Sequence, residues 1–183
     1  MGRISISLAL ILITFFSCKS YYQNQNGGYR PKKPKFELAN PPYQLKKDDL
    51  IDTNAVYVHE ATIYYGSGPR KEDFFIRFFA NGRYCMGIAR ARKLTLEDVN
   101  GKYDYNTIGY YKLNGKHIAI ETFTVGGQFG TTPYYDKMNA IIKNDSILFV
   151  GDKVDQADFS AAKKNGSFYV RRKVEGLTGT PDW

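Results

Sequence analysis

From residue 55 onward the chain falls into short runs of β-branched and aromatic residues separated by turn-forming pairs. Residues 55–65 (AVYVHEATIYY) make one such run, ended by the breaker Gly66-Ser67-Gly68-Pro69. Three hairpins are predicted after it. Residues 73–80 turn at Asn81-Gly82 into 83–89, residues 107–113 at Asn114-Gly115 into 116–125, and residues 134–143 at Asn144-Asp145 into 146–150. Asn-Gly, and less readily Asn-Asp, supplies the positive φ angles that a tight hairpin turn requires. A further Asn165-Gly166 precedes residues 167–174 (SFYVRRKV), the expected closing strand.

Turn positions fix which side chains share a face, because side chains alternate along a strand. A two-residue turn at Asn114-Gly115 pairs Leu113 with Lys116 and Tyr111 with Ile118. Leu113, Tyr111, Ile118 and Ile120 then form an apolar face, opposite Tyr110, Lys112, His117 and Glu121. In the first hairpin, pairing Phe79 with Tyr84 puts Phe75, Arg77, Phe79, Tyr84 and Met86 on one face. The opposite face carries Phe74, Ile76, Phe78 and Cys85, so both sides are apolar. If the first of these faces looks inward, its rings make a concave lining and Arg77 can orient an anion there. The alternative for Arg77 is a structural cation stacked on a ring. Thr95 with Asp98 predicts one capped helical turn, whereas residues 155–164 fit neither the helical nor the strand period.

Seven to nine strands joined by local turns close most simply as an antiparallel up-and-down barrel; a two-sheet β-sandwich satisfies the same alternation. The runs FFIRFFANGRYCMGI, GKYDYNTIGYYKLNGKHIAIETF and AIIKNDSILFVG resemble bacterial lipocalin-like domains, over residues 55–174. That resemblance implies an all-β lipocalin-like barrel with a small apolar or amphipathic ligand inside it. The G-x-W signature of true lipocalins is absent, Trp183 being the single tryptophan.

Upstream of the barrel the pattern changes. Arg3 precedes the unbroken apolar and hydroxyl run of residues 4–18, too short for a spanning helix of roughly 20 residues. Its end at Ser17-Cys18 resembles the processing site of a bacterial lipoprotein, although Phe15 and Phe16 stand where that family favours Leu and a small residue. The resemblance implies cleavage before Cys18, acylation of Cys18, and anchorage to a bacterial membrane in the cell envelope, the outer membrane's periplasmic face being the expected location. An ordinary secretory signal is the alternative. Residues 18–53 hold Pro31, Pro34, Pro41 and Pro42 and read as a semi-stiff tether. Arg30, Lys32, Lys33 and Lys35 cluster within it. They are either a solvated linker or a second membrane contact, worth about 1 kcal/mol per charge at an anionic surface. The expected layout is a signal peptide (1–17), the lipidated cysteine and tether (18–53), the β domain (54–175) and a tail (176–183).

Composition narrows the partners. The net charge is +8 and the chain holds 15 Tyr and 12 Phe. Basic charge favours anionic surfaces, and in an exported chain these are lipid phosphates or glycans, not nucleic acid. With Cys18 acylated, Cys85 has no intrachain partner and is expected to pack as a small apolar residue. His59 and His117 lack metal-ligand spacing, no glycine-rich loop joins a strand to a helix, and no nucleophile-elbow motif occurs. Glu121 and Asp136 could meet as a carboxylate pair in three dimensions, but nothing in their spacing supports one. No enzyme activity, cofactor or metal is expected. The loop 126–133 (GGQFGTTP) is the candidate lip of the barrel. Two functions follow, a lipid-anchored ligand-binding module or an accessory protein docking onto an envelope complex. Spare room inside favours the first; an interior filled by Phe and Tyr favours the second.

Overall fold

The computed structural model describes residues 19–24, 28–89, 93–100, 107–127, 131–150 and 168–178. Two short strands, β1 (Tyr21–Gln23) and β2 (Tyr29–Pro31), pair outside the main sheet. The main sheet comprises β3 (Ala55–Tyr65), β4 (Gly68–Phe78), β5 (Arg83–Ile88), β6 (Thr107–Asn114), β7 (His117–Gly126), β8 (Thr132–Lys143), β9 (Ser146–Phe149) and β10 (Phe168–Lys173). Consecutive strands pair antiparallel, and β10 pairs with both β9 and β3, so the eight strands close into a barrel. Closure leaves no free edge strand in the barrel's own strand order, and the sandwich alternative is excluded.

The lower end of the barrel carries the three tight hairpin turns. At Asn144-Asp145 the pairing of Lys143 with Ser146 is the expected one, and Asn144 takes φ 54°. At the second hairpin Asn114 pairs with His117, so the turn is Gly115-Lys116, one residue later than expected. The faces survive, because Leu113 now meets Ile118 and Tyr111 meets Ile120. The first hairpin differs in kind. Phe78, not Phe79, pairs with Tyr84. Gly82 N donates to Phe79 O at 3.2 Å, Phe79 N donates to Arg83 O at 2.9 Å, and Gly82 sits at φ 76°. This is a three-residue loop with glycine in the left-handed position, instead of a two-residue turn. A one-residue slip moves every side chain of one strand to the other face.

Inside, Tyr57, Ile76, Phe78, Tyr84, Tyr111, Ile118, Ile120 and Ile147 are all buried. The rings meet edge to face, Phe78 lying 5.0 Å from Tyr111 and 5.6 Å from Tyr57. Tyr111 Oη donates to Phe79 O at 2.8 Å, and the Tyr84 hydroxyl bonds that of Thr122. Gly109 makes room for this packing, since a Cβ there would collide with the Glu121 carbonyl and lie 2.7 Å from the Tyr84 ring.

Outside the barrel a second apolar cluster holds Val56, Val58, Phe75, Phe79, Cys85 and Ile108 under α1 (Leu96–Asn100) and the chain near Leu177. The capping box is present: Thr95 N donates to Asp98 Oδ2 at 2.8 Å, and Asp98 N to Thr95 Oγ1 at 3.3 Å. Cys85 is fully buried there.

The expected tether is a packed arm. Phe36 sits 4.9 Å from the rings of both Tyr110 and Tyr135. Leu38 N donates to Glu121 Oε2 at 2.8 Å, Lys35 N to Tyr135 Oη at 3.0 Å, and Leu45 N to Ala80 O at 2.9 Å. Ile51 is 5% exposed and joins the interior cluster beside Tyr57, with Tyr43 and Leu45 packed on it. Residues 43–51 thereby close the lower end. Prolines and lysines dominate the composition of this segment, but its spaced apolar side chains decide its fate. Ile51→Ala is expected to lower unfolding stability by about 2–4 kcal/mol in denaturant titration; a free spacer would respond by less than about 0.5 kcal/mol.

Candidate functional site

The five residues expected to line one inward face are divided by the barrel wall. Tyr84 and Met86 belong to the interior cluster, whereas Phe75 and Phe79 belong to the outer cluster beneath α1. Arg77 is outside as well and 4% exposed. Its Nη1 donates to Val99 O and Thr178 O, both at 2.7 Å, and to Asn100 Oδ1 at 3.3 Å. Its guanidinium lies 4.8 Å from the centre of the Phe79 ring. The cation thus satisfies carbonyls at the end of α1 and fastens the chain near Thr178 to β4, a structural role. The physical cause of the split is the Gly82 loop. A Cβ on Gly82 would lie 2.5 Å from Tyr43 O, so the arm's backbone rests on that turn. Cys18 lies outside the described residues, as do 128–130 of the expected lip and the segment 155–164.

The upper end of the barrel is built differently from the lower. Phe74, Met86, Met138 and Phe149 border the interior cluster there and are only half-buried. His59 shares this level, with Nδ1 3.2 Å from Phe168 O and its ring 5.5 Å from that of Tyr169. Phe149 packs edge-on to Tyr169 at 5.6 Å. The carboxylate pair does not form. Glu121 is buried on the outer face, where it accepts Leu38 N, whereas Asp136 pairs in register with Thr122, which bonds Tyr84 inside. Among the described residues no three His, Cys, Asp or Glu side chains are grouped to hold a metal.

A second concavity lies on the outer wall. A cleft of about 610 Å³ between the arm and the β7–β8 wall is lined by Lys19, Lys32, Lys33 and Lys35 around Phe123, Pro133 and Tyr135. Proline and lysine content alone describes a spacer without such a cleft; the sequence signal for it is Phe36 and Leu38 beside the lysine run. Arg30, expected with these lysines, turns away from solvent. It is 1% exposed, and its Nη1 donates to Tyr29 O at 3.0 Å.

Burial raises the pKa of the interior tyrosines, and at Tyr169 burial alone pushes it up to about 12. The unfolded chain deprotonates this phenol near 10, the folded chain later, so folding stability is intact below about pH 10 and falls as pH rises from there toward 12. Each such tyrosine contributes at most about 1.4 kcal/mol per pH unit to that fall. Tyr169→Phe is expected to flatten the stability–pH slope between 10 and 12, measured by urea unfolding, and to leave it unchanged at pH 7.

No protein-family model matches the chain. No solved structure matches it. Among curated proteins the chain is similar to guanylate cyclase 2G of Rattus norvegicus, 22% identical over 108 residues; the aligned part is 58% of this chain but 10% of that protein's length.

Proposed function

We propose that the chain is a lipid-anchored protein of the bacterial envelope, non-enzymatic, whose lipocalin-like barrel holds a small amphipathic ligand at its upper end. The observation that carries this reading is the contrast between the two ends. The lower end is filled by rings and closed by residues 43–51, whereas the upper end presents half-buried Phe74, Met86, Met138 and Phe149. Methionine thioethers adapt to irregular apolar guests, and such a lining with few polar groups suits a hydrocarbon chain with one polar end. The anchor rests on Ser17-Cys18 at the end of the apolar leader. Outer membrane, periplasmic face, is the proposed location.

A second reading, docking onto an envelope protein, is favoured by the ring-filled interior and by an exposed aromatic ribbon. Among the described residues, register with β10 ends at Val58 and register with β5 begins at Phe74, and the β3–β4 ribbon stays paired beyond both as far as Tyr65 and Gly68. Its tip presents Tyr64, 81% exposed, and Tyr65, whose ring lies 5.3 Å from the Arg70 guanidinium.

The test uses the full chain in a non-ionic amphipol with a fluorescent fatty acid. Binding is expected at micromolar concentration and is expected to weaken at least tenfold in Met86→Trp, which fills the upper end, with the melting temperature within a few degrees of the parent. No binding at high micromolar concentration leaves the docking reading in place. Cys18→Ala is expected to move the protein out of the membrane fraction of its host; retention in that fraction overturns the anchor.

A further inference from the structure

The cleft on the outer wall is distinct from the upper end, and its chemistry is different. Its lysines come from two places in the sequence, Lys19 before β1 and Lys32, Lys33 and Lys35 after β2. Pairing of Tyr21 with Pro31, continued by Lys32 N donating to Ser20 O at 2.9 Å, brings the two sets side by side. The arm carrying them is fixed by Phe36 between two rings and by the Lys35 and Leu38 amide bonds to Tyr135 and Glu121. Among the described residues none of the four lysines is paired with a carboxylate, and no acid lines the cleft. Glu37, the acid next in sequence to Phe36, is turned toward Lys137 at 2.6 Å. Lysines lining one cleft without counter-charge repel one another, and an anion bound in the cleft relieves that repulsion. Phe123, Pro133 and Tyr135 supply an apolar floor to the same cleft.

We infer that this cleft is a binding site for the headgroup of an anionic phospholipid, the lysines taking the phosphate and the aromatic floor taking the first carbons of the lipid. Phosphate alone has no use for the floor, and a neutral lipid has none for four lysines. The volume, about 610 Å³, lies within the range of small-molecule sites. Lys19, at the cleft wall, directly follows Cys18. An acylated Cys18 therefore sets the cleft within a few ångströms of the bilayer surface; only this orientation rests on the proposed anchor.

The experiment is calorimetric titration of the full chain in a non-ionic amphipol with dihexanoyl phosphatidylglycerol, dihexanoyl phosphatidylcholine and inorganic phosphate, the lipids below their micelle concentrations. Phosphatidylglycerol is expected to bind at least tenfold more tightly than either of the others, and more weakly as salt is raised. The triple variant Lys32→Gln, Lys33→Gln, Lys35→Gln is expected to lose that preference while keeping the parent's melting temperature and fatty-acid binding. Met86→Trp is expected to keep phosphatidylglycerol binding, so failure here and failure at the upper end are separately visible. Equal affinity for phosphatidylcholine, an affinity for inorganic phosphate matching that for the lipid, or unchanged binding by the triple variant would each overturn the proposal.

Discussion

An eight-stranded barrel wall has no edges to protect, but it has two ends, and its interior is wide enough for packed side chains or one small ligand. How those ends are treated decides the rest of this molecule. Residues 43–51 come up under the lower end, laying Ile51 beneath Tyr57 and resting Tyr43 on the turn at Gly82. With that end closed, rings fill the space above it: Tyr57 and Tyr111 meet Phe78 edge to face, and Tyr84 lies tilted against it. Apolar burial at about 25 cal/mol per Å² is the main support of such a core, so the arm belongs to the folding unit.

The same contact sets the register of the first hairpin. Because Gly82 adopts φ 76° under the arm's backbone, the loop takes three residues, and Phe75, Arg77 and Phe79 turn outward. What they meet there is the short helix α1 and the chain near Thr178, which together roof a second apolar cluster. Arg77 is the link between these pieces, donating to the buried Val99 carbonyl and to the Thr178 carbonyl. A cation that the alternation placed in a ligand cavity is instead a fastener on the outside wall.

Fixing the arm has an electrostatic result too. A basic run on a free chain spreads its charges and lets solvent and salt screen them. On this arm, Lys32, Lys33 and Lys35 line one cleft with Lys19, Phe123 and Tyr135, while Arg30 is drawn into the packed side. The charge of the segment is converted from a property of composition into a shaped surface, next to the residue where the N-terminal apolar run ends.

Local sequence determined a good deal of this. The strand runs, the Asn144-Asp145 turn, the Thr95–Asp98 cap and the apolar face of Leu113, Tyr111, Ile118 and Ile120 are each set by contacts between near neighbours. Propensity and turn chemistry report such contacts directly. Closure was legible as well, since a meander of this many strands has few other ways to bury one face. The register at Gly82 was not, because Asn81-Gly82 suits either a two-residue turn or a three-residue loop. The choice depends on Tyr43, some forty residues away. Nor was the arm's fate legible, because Pro and Lys content describes a chain in water, while Phe36, Leu38 and Ile51 become informative only once a barrel wall exists to receive them. Periodicity says which residues share a face; which face looks inward, and what lies across from it, is decided by distant chain packing.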